Sequence, residues 1–272
     1  MMNSFNKRVF RLGGSPSVSH WFFILFMALF LGAILGGCDK KQGQTGKESI
    51  QLKRYEFKTK VPYAPAPTIV LEYPVYTGPQ GKELLSKINS VIGPEGLFGQ
   101  TAEELSKIIA EGAIPFDSAR AEVIYHGKGL LEVLWTITAT GAYTGSSRIN
   151  VIADLEKGIT HGPESMFEYD YKMASFVHAR IEPELQKRID ELYQKHPDVK
   201  ETLTNMGIPL PYGPDDLFNL QLGDKGIHFV YSFKFPQSYA SIEPEPMRVF
   251  IPWEEIKPFM YEGCILERFV QK

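Results

Sequence analysis

Cysteine is scarce in this chain: 272 residues contain two, Cys38 and Cys264. That is too few for the bridged frameworks that hold small secreted domains together, so stability must come from a hydrophobic core. Histidines are also few, and past the N-terminal segment they stand alone: no two of His126, His161, His178, His196 and His228 lie at i, i+3 or i+4. That spacing gives no zinc motif, and no metal or other cofactor is expected. An excess of basic charge is missing as well, the net charge being -3, which makes nucleic acid an unfavourable partner. GAYTGSS (141 to 147) lacks the G-x-S-x-G elbow of serine hydrolases, and GPEGLFG (93 to 99) lacks the Lys-Ser/Thr ending of a phosphate cradle. Both read as turns. No repeat of 20 to 50 residues is visible.

Long apolar runs are absent but for one. Trp21 to Gly37, WFFILFMALFLGAILGG, carries no charge and follows Lys7, Arg8 and Arg11, with no acid before it. A positive start followed by an apolar run describes an export signal, and the run is shorter than the roughly 20 residues a spanning helix needs. It ends in Leu35-Gly36-Gly37-Cys38, which resembles the lipobox of bacterial lipoproteins. The resemblance implies cleavage before Cys38 and acylation of its thiol, with several chains giving a stable bilayer anchor. Cys264 is then the only thiol left, and removal of residues 1–37 takes the net charge from -3 to -6. Asp39 resembles the inner-membrane retention signal of enteric bacteria, which implies the periplasmic face of the inner membrane in a Gram-negative host.

The next stretch, DKKQGQTGKESIQLK (39 to 53), is polar and has no apolar period. It predicts a flexible tether, with residues 38–67 as lipidated cysteine and linker and folded structure starting near Thr68. TIVLEYPVYT (68 to 77) reads as an edge or bulged strand, because Pro74 cannot donate to a ladder. Residues 81–92 and 101–111 read as helices, the second opened by a Thr101/Glu104 capping box. AEVIYHG (121 to 127) and GLLEVLWTITATGAY (129 to 143) alternate around Gly127-Lys128-Gly129, which predicts an antiparallel hairpin, and SRINVIADL (147 to 155) supplies a third strand. Residues 171–195 have helical period, with Pro183 expected to start a second helix. Strands around Asp224-Lys225, then MRVFIPW and a short helix, complete the pattern. The fold class is α+β, antiparallel sheet covered on one face by helices.

Two acidic pairs invite a catalytic reading, Asp215-Asp216 and Glu254-Glu255, since facing carboxylates could cleave glycosidic bonds. Their local settings favour a turn after Pro214 and the negatively charged first turn of a helix. Aromatic residues make up 12% of the chain, and Tyr143, Tyr212 and Tyr239 fall in turns, where exposed tyrosine suits contact. The turn Ala142 to Arg148 closes the most apolar strand, so Tyr143 and Arg148 are candidate binding residues together with Tyr212 and Tyr239.

The motifs YTG (143 to 145), DLEKG (154 to 158), PELQKRIDEL, FNLQLGDKGIHFVYSF (218 to 233), Tyr239-Ala240 and VFIPWEEI (249 to 256) resemble the DUF3298 family. YPVYTG (73 to 78) resembles the opening of the DUF4163-type region that often precedes it. The resemblance divides the folded chain at residues 68–160 and 161–272. It implies an extracytoplasmic module like those of a lysozyme-binding anti-sigma factor and a peptidoglycan deacetylase. Where the family usually continues Tyr-Thr-Gly with Gly-Ala-His, this chain has Ser146-Ser147-Arg148, so a role for that histidine does not carry over. The expected function is non-catalytic binding or sensing at the cell wall, with peptidoglycan or a cell-wall-acting protein as partner. The alternatives are an envelope hydrolase with a carboxylate pair and an envelope assembly factor.

Overall fold

The dipeptide Lys128-Gly129 takes positive φ at both positions, 54° and 72°. Such a two-residue turn matches the twist of the strands it joins. In the computed structural model, which describes residues 47–58, 68–113, 115–140, 144–168 and 171–270, this turn connects β3 (Ser118–Gly127) to β4 (Leu130–Thr140). All the described residues belong to the unit Gly43–Lys272. β5 (Thr144–Asp154) pairs along the whole length of β4, from Thr140 opposite Thr144 to Leu130 opposite Asp154. With β1 (Ser49–Lys58), β2 (Thr68–Thr77) and β6 (Ile159–His161) they form a six-stranded sheet in sequence order.

Three departures from the sequence expectations have physical causes. β1 occupies part of the stretch expected as a tether, and it pairs with β2 from Ser49–Thr77 to Lys58–Thr68. It is an edge strand held by backbone bonds and buries a single side chain, Phe57, so it leaves almost no apolar period. β2 is not an edge, because β3 flanks it in parallel; that ladder covers only Val70 to Glu72 and stops short of Pro74, whose missing donor is therefore tolerated. The sheet is accordingly mixed, and the parallel step is made by a crossover carrying α1 (Lys82–Ile92), α2 (Pro94–Phe98) and α3 (Ala102–Ala110). The Thr101/Glu104 capping box is present, with Glu104 N donating to Thr101 Oγ1 at 3.2 Å and Thr101 N to Glu104 Oε2 at 2.8 Å.

The third departure is Pro183, which lies inside one continuous helix, α4 (Tyr171–Lys195). An interior proline costs about 3 kcal/mol. The helix runs through it because Met173, Val177 and Ile181 before it and Leu185, Ile189 and Leu192 after it are all buried. At about 2 kcal/mol per buried aliphatic side chain, a stripe at helical spacing outweighs the lost bond.

Alternation along β4 serves two cores. Leu131, Val133 and Trp135 are buried with Ile88, Ile92, Leu105 and Ile109 of the crossover helices, and Trp135 Nε1 donates to Ile92 O at 3.3 Å. Leu130 of β4 and Ile152 of β5, on the opposite face, join a second core with α4, α5 (Pro197–Asn205) and a small antiparallel sheet. That sheet contains β7 (Leu220–Gly223), β8 (Gly226–Tyr231) and β9 (Met247–Pro252), followed by α6 (Trp253–Ile256) and α7 (Glu267–Val270). The architecture is α+β. Cys264, the free thiol, is half-buried against the second core, and burial raises its pKa. With no sulfur partner to lose, Cys264→Ser should keep the fold and cost less than about 1 kcal/mol in chemical denaturation; a larger loss would show that the thiol has a bonding role.

Candidate functional site: the cleft between the sheets

The second face of β4 and β5 carries a row of residues from solvent into the core. Arg148 is exposed, Asn150 is half-buried, and Ile152 and Asp154 are buried. They share this face because side chains repeat every second residue. Opposite stands β7, an outer strand of the small sheet whose unpaired backbone groups need partners. Two side chains supply them. Glu132 Oε2 accepts from Leu222 N at 2.7 Å, and Asn150 Nδ2 donates to Leu220 O at 2.5 Å and to Glu132 Oε1 at 2.6 Å. A carboxylate and an amide thus stand in for a neighbouring strand and lock the two sheets together.

Glu132 is fully buried, and no cation is paired with it among the described residues. Burial dominates its titration and, against the opposing hydrogen bonds from Asn150 and Leu222 N, its pKa is pushed up to about 7. A register shift in β3 between Val123 and Tyr125 brings Tyr125 opposite Glu132. The Tyr125 hydroxyl then donates to Asp224 Oδ1 at the β7–β8 turn, at 3.0 Å. Burial and the nearby carboxylates raise that phenol to about 12.

Beyond the clamp the sheets part to leave a cleft of about 190 Å³. Leu134, Arg148 and Asn150 line it from the large sheet, and Leu220, Gln221, Val230 and Arg248 from the small one, with Asn219, Glu245 and Pro246 also in the lining. Arg148 and Arg248 are both exposed, and among the described residues neither has a hydrogen bond or an ion pair. Asn150 Oδ1 is buried without a donor. Glu245 also borders a larger groove of about 470 Å³ along α4. There Arg188 spans from Glu184 Oε1, at 3.1 Å, to Glu245 O, at 2.9 Å.

The sequence candidates are dispersed. Arg148 lines the cleft, whereas Cys38 and Tyr143 lie outside the described residues. Tyr212, expected exposed in a loop, is buried: its hydroxyl donates to Asp216 O at 3.0 Å, and its ring lies 6.4 Å from that of Tyr231. A tyrosine can enter a core when a carbonyl takes its hydroxyl, so Tyr212 is a packing residue. Tyr239 is half-buried and packs on the second core from the 3-10 turn Gln237–Ile242. The acidic pairs do local work. Asp216 is buried, accepts from Gly213 N at 2.8 Å and pairs with Lys234; Glu255 pairs with Arg180 across to α4.

Asp154, His161 and Ser165 meet near the end of β6, with His161 Nε2 3.9 Å from Asp154 Oδ2 and Ser165 Oγ 3.4 Å from His161 Nδ1. The residue types match a hydrolytic triad, but the bonds do not. Ser165 Oγ donates to Gly162 O at 2.8 Å, and Asp154 is engaged by Arg268 Nη2 at 3.2 Å and Glu156 N at 2.8 Å. The cluster pins α7 to the sheet. Among the described residues, no group of three or more His, Cys, Asp or Glu could hold a metal ion, and no helix is long and apolar enough to cross a membrane.

No protein-family model matches the chain, and no curated protein matches it in sequence. Its fold is similar to that of a DUF3298 family member from Bacteroides fragilis, with a TM-score of 0.54 over 84% of this chain and 99% of that one, at 15% identity. A DUF3298 family protein from Pseudomonas aeruginosa aligns with a TM-score of 0.45 over 79% of this chain and 94% of that one, at 12% identity. The chain thus has a DUF3298-like fold.

Proposed function

We propose that this chain is a membrane-anchored extracytoplasmic lipoprotein whose folded unit is a non-catalytic binding or sensing module facing the cell wall. The observation that carries the binding reading is the cleft between the sheets. It presents two arginines free of ion pairs among the described residues, flanked by the amides of Asn219 and Gln221 and by apolar Leu134 and Val230. Guanidiniums without a protein partner, set among amides on a concave surface, are donors arranged to hold an anionic polar group. The placement outside the membrane rests on the charged start, the apolar run and Leu35-Gly36-Gly37-Cys38. Likeness to the Bacteroides fragilis protein adds only fold-level support.

Purified full-length protein in detergent should co-sediment with peptidoglycan sacculi and be released by soluble wall fragments. Protein left wholly in the supernatant, under conditions where its melting curve shows it folded, would overturn the cell-wall reading.

A further inference from the structure

The ligand class of the cleft can be read from its charges and size. We infer that the Arg148/Arg248 cleft binds a single carboxylate, the acidic end of a wall peptide or of an acidic sugar; this deepens the cell-wall reading and rests on it.

Arg148 stands on β5 and Arg248 on β9, so the two guanidiniums come from different sheets and converge on one space. A guanidinium left without a protein partner is a fork of donors matched to a carboxylate. Among the described residues, Glu245 is the one acid lining the cleft. Two cations against one anion leave a single positive charge, which suits a monoanionic carboxylate better than a dianionic phosphate. The volume of about 190 Å³ falls below the roughly 300 Å³ of sites that enclose whole ligands, so the cleft takes an end group. Leu134 and Val230 offer that end an apolar contact, and Gln221 can hydrogen-bond an adjoining amide. Asn150 lines the same cleft, and its Oδ1 is a buried acceptor without a donor; the carboxylate itself cannot serve it, but an N–H or O–H beside the carboxylate on a wall peptide or sugar would.

Isothermal titration calorimetry of the full-length protein in detergent tests this with four probes: N-acetyl-D-Ala-D-Ala, its C-terminal amide, N-acetylmuramic acid and inorganic phosphate. At least one of the two carboxylates should bind, and whichever binds identifies the source as peptide or sugar. Arg148→Ala and Arg248→Ala should each weaken that carboxylate at least tenfold while melting curves stay unchanged, and lysine at either position should restore part of the affinity. For the peptide, the C-terminal amide should bind at least tenfold more weakly. Four results would overturn the inference: neither carboxylate binds, either arginine-to-alanine variant binds the carboxylate as tightly as wild type, the amide binds as tightly as the acid when the peptide binds, or phosphate binds more tightly than both.

The sacculus experiment fails separately. If the Arg148→Ala, Arg248→Ala double variant still co-sediments as wild type does, the wall reading stands and the cleft assignment falls. If wild type does not co-sediment yet a carboxylate binds through both arginines, the cleft stands and the wall reading falls.

Discussion

Replacing Glu132 with alanine should cost about 4 kcal/mol of folding stability at pH 5, because two buried hydrogen bonds are lost, the one from Leu222 N and one of the two made by Asn150 Nδ2, and each such loss costs about 1–3 kcal/mol. The donors are Leu222 N and Asn150 Nδ2, at 2.7 and 2.6 Å from the carboxyl oxygens. The cost should shrink at higher pH. In the folded chain Glu132 has its pKa pushed from 4.5 to about 7 by burial, so between those values the folded state holds more protons than the unfolded state. Wild-type stability then falls as pH rises through that window, by about 3 kcal/mol in all, and is flat outside it. His161 and His228 act in the opposite sense, since burial lowers both and the unfolded chain binds more protons there. The comparison that isolates Glu132 is therefore wild type against Glu132→Gln, in denaturant titrations at pH 5 and pH 8. Between pH 5 and pH 8 wild type should lose about 3 kcal/mol relative to Glu132→Gln, whose side chain does not titrate. Parallel stabilities across the window would mean that Glu132 is not held as described.

Local chemistry made much of the fold readable. Positive φ at Lys128-Gly129 and the alternation of Leu131, Val133 and Trp135 are properties of neighbouring residues, as is the Thr101/Glu104 cap. β1 is not legible in the sequence because an edge strand held by backbone pairing needs few apolar side chains, and it buries only Phe57. At Pro183 the local cost is visible in sequence, while the buried stripe that offsets it depends on tertiary packing. In the site, Arg148 is legible from its turn, but Arg248, which lines the same cleft, is 100 residues away in sequence and on another sheet. Glu132 left one signal that could have been used: it is the lone acid in GLLEVLW, on the same strand face as Leu130 and Leu134. Nothing local says that a bulge at Val123/Tyr125 and the edge of β7 converge on it.

The proposed function also depends on the chain being held outside the cytoplasm, and that rests on one sulfur. Cys38 follows the branched aliphatic Leu35 and two small residues, Gly36 and Gly37, which resembles a lipoprotein cleavage site, and the apolar run ahead of it is too short to span comfortably. A thiol carrying two acyl chains gives a stable anchor, whereas one chain holds only marginally. Cys38→Ala removes the acceptor, so the effect should be complete rather than graded. The direct measurement is incorporation of labelled palmitate in bacteria producing the full-length chain. Wild type should carry label and lose residues 1–37, while Cys38→Ala should carry none and accumulate as uncleaved precursor; equal label on both proteins, or none on wild type, would contradict the anchored module.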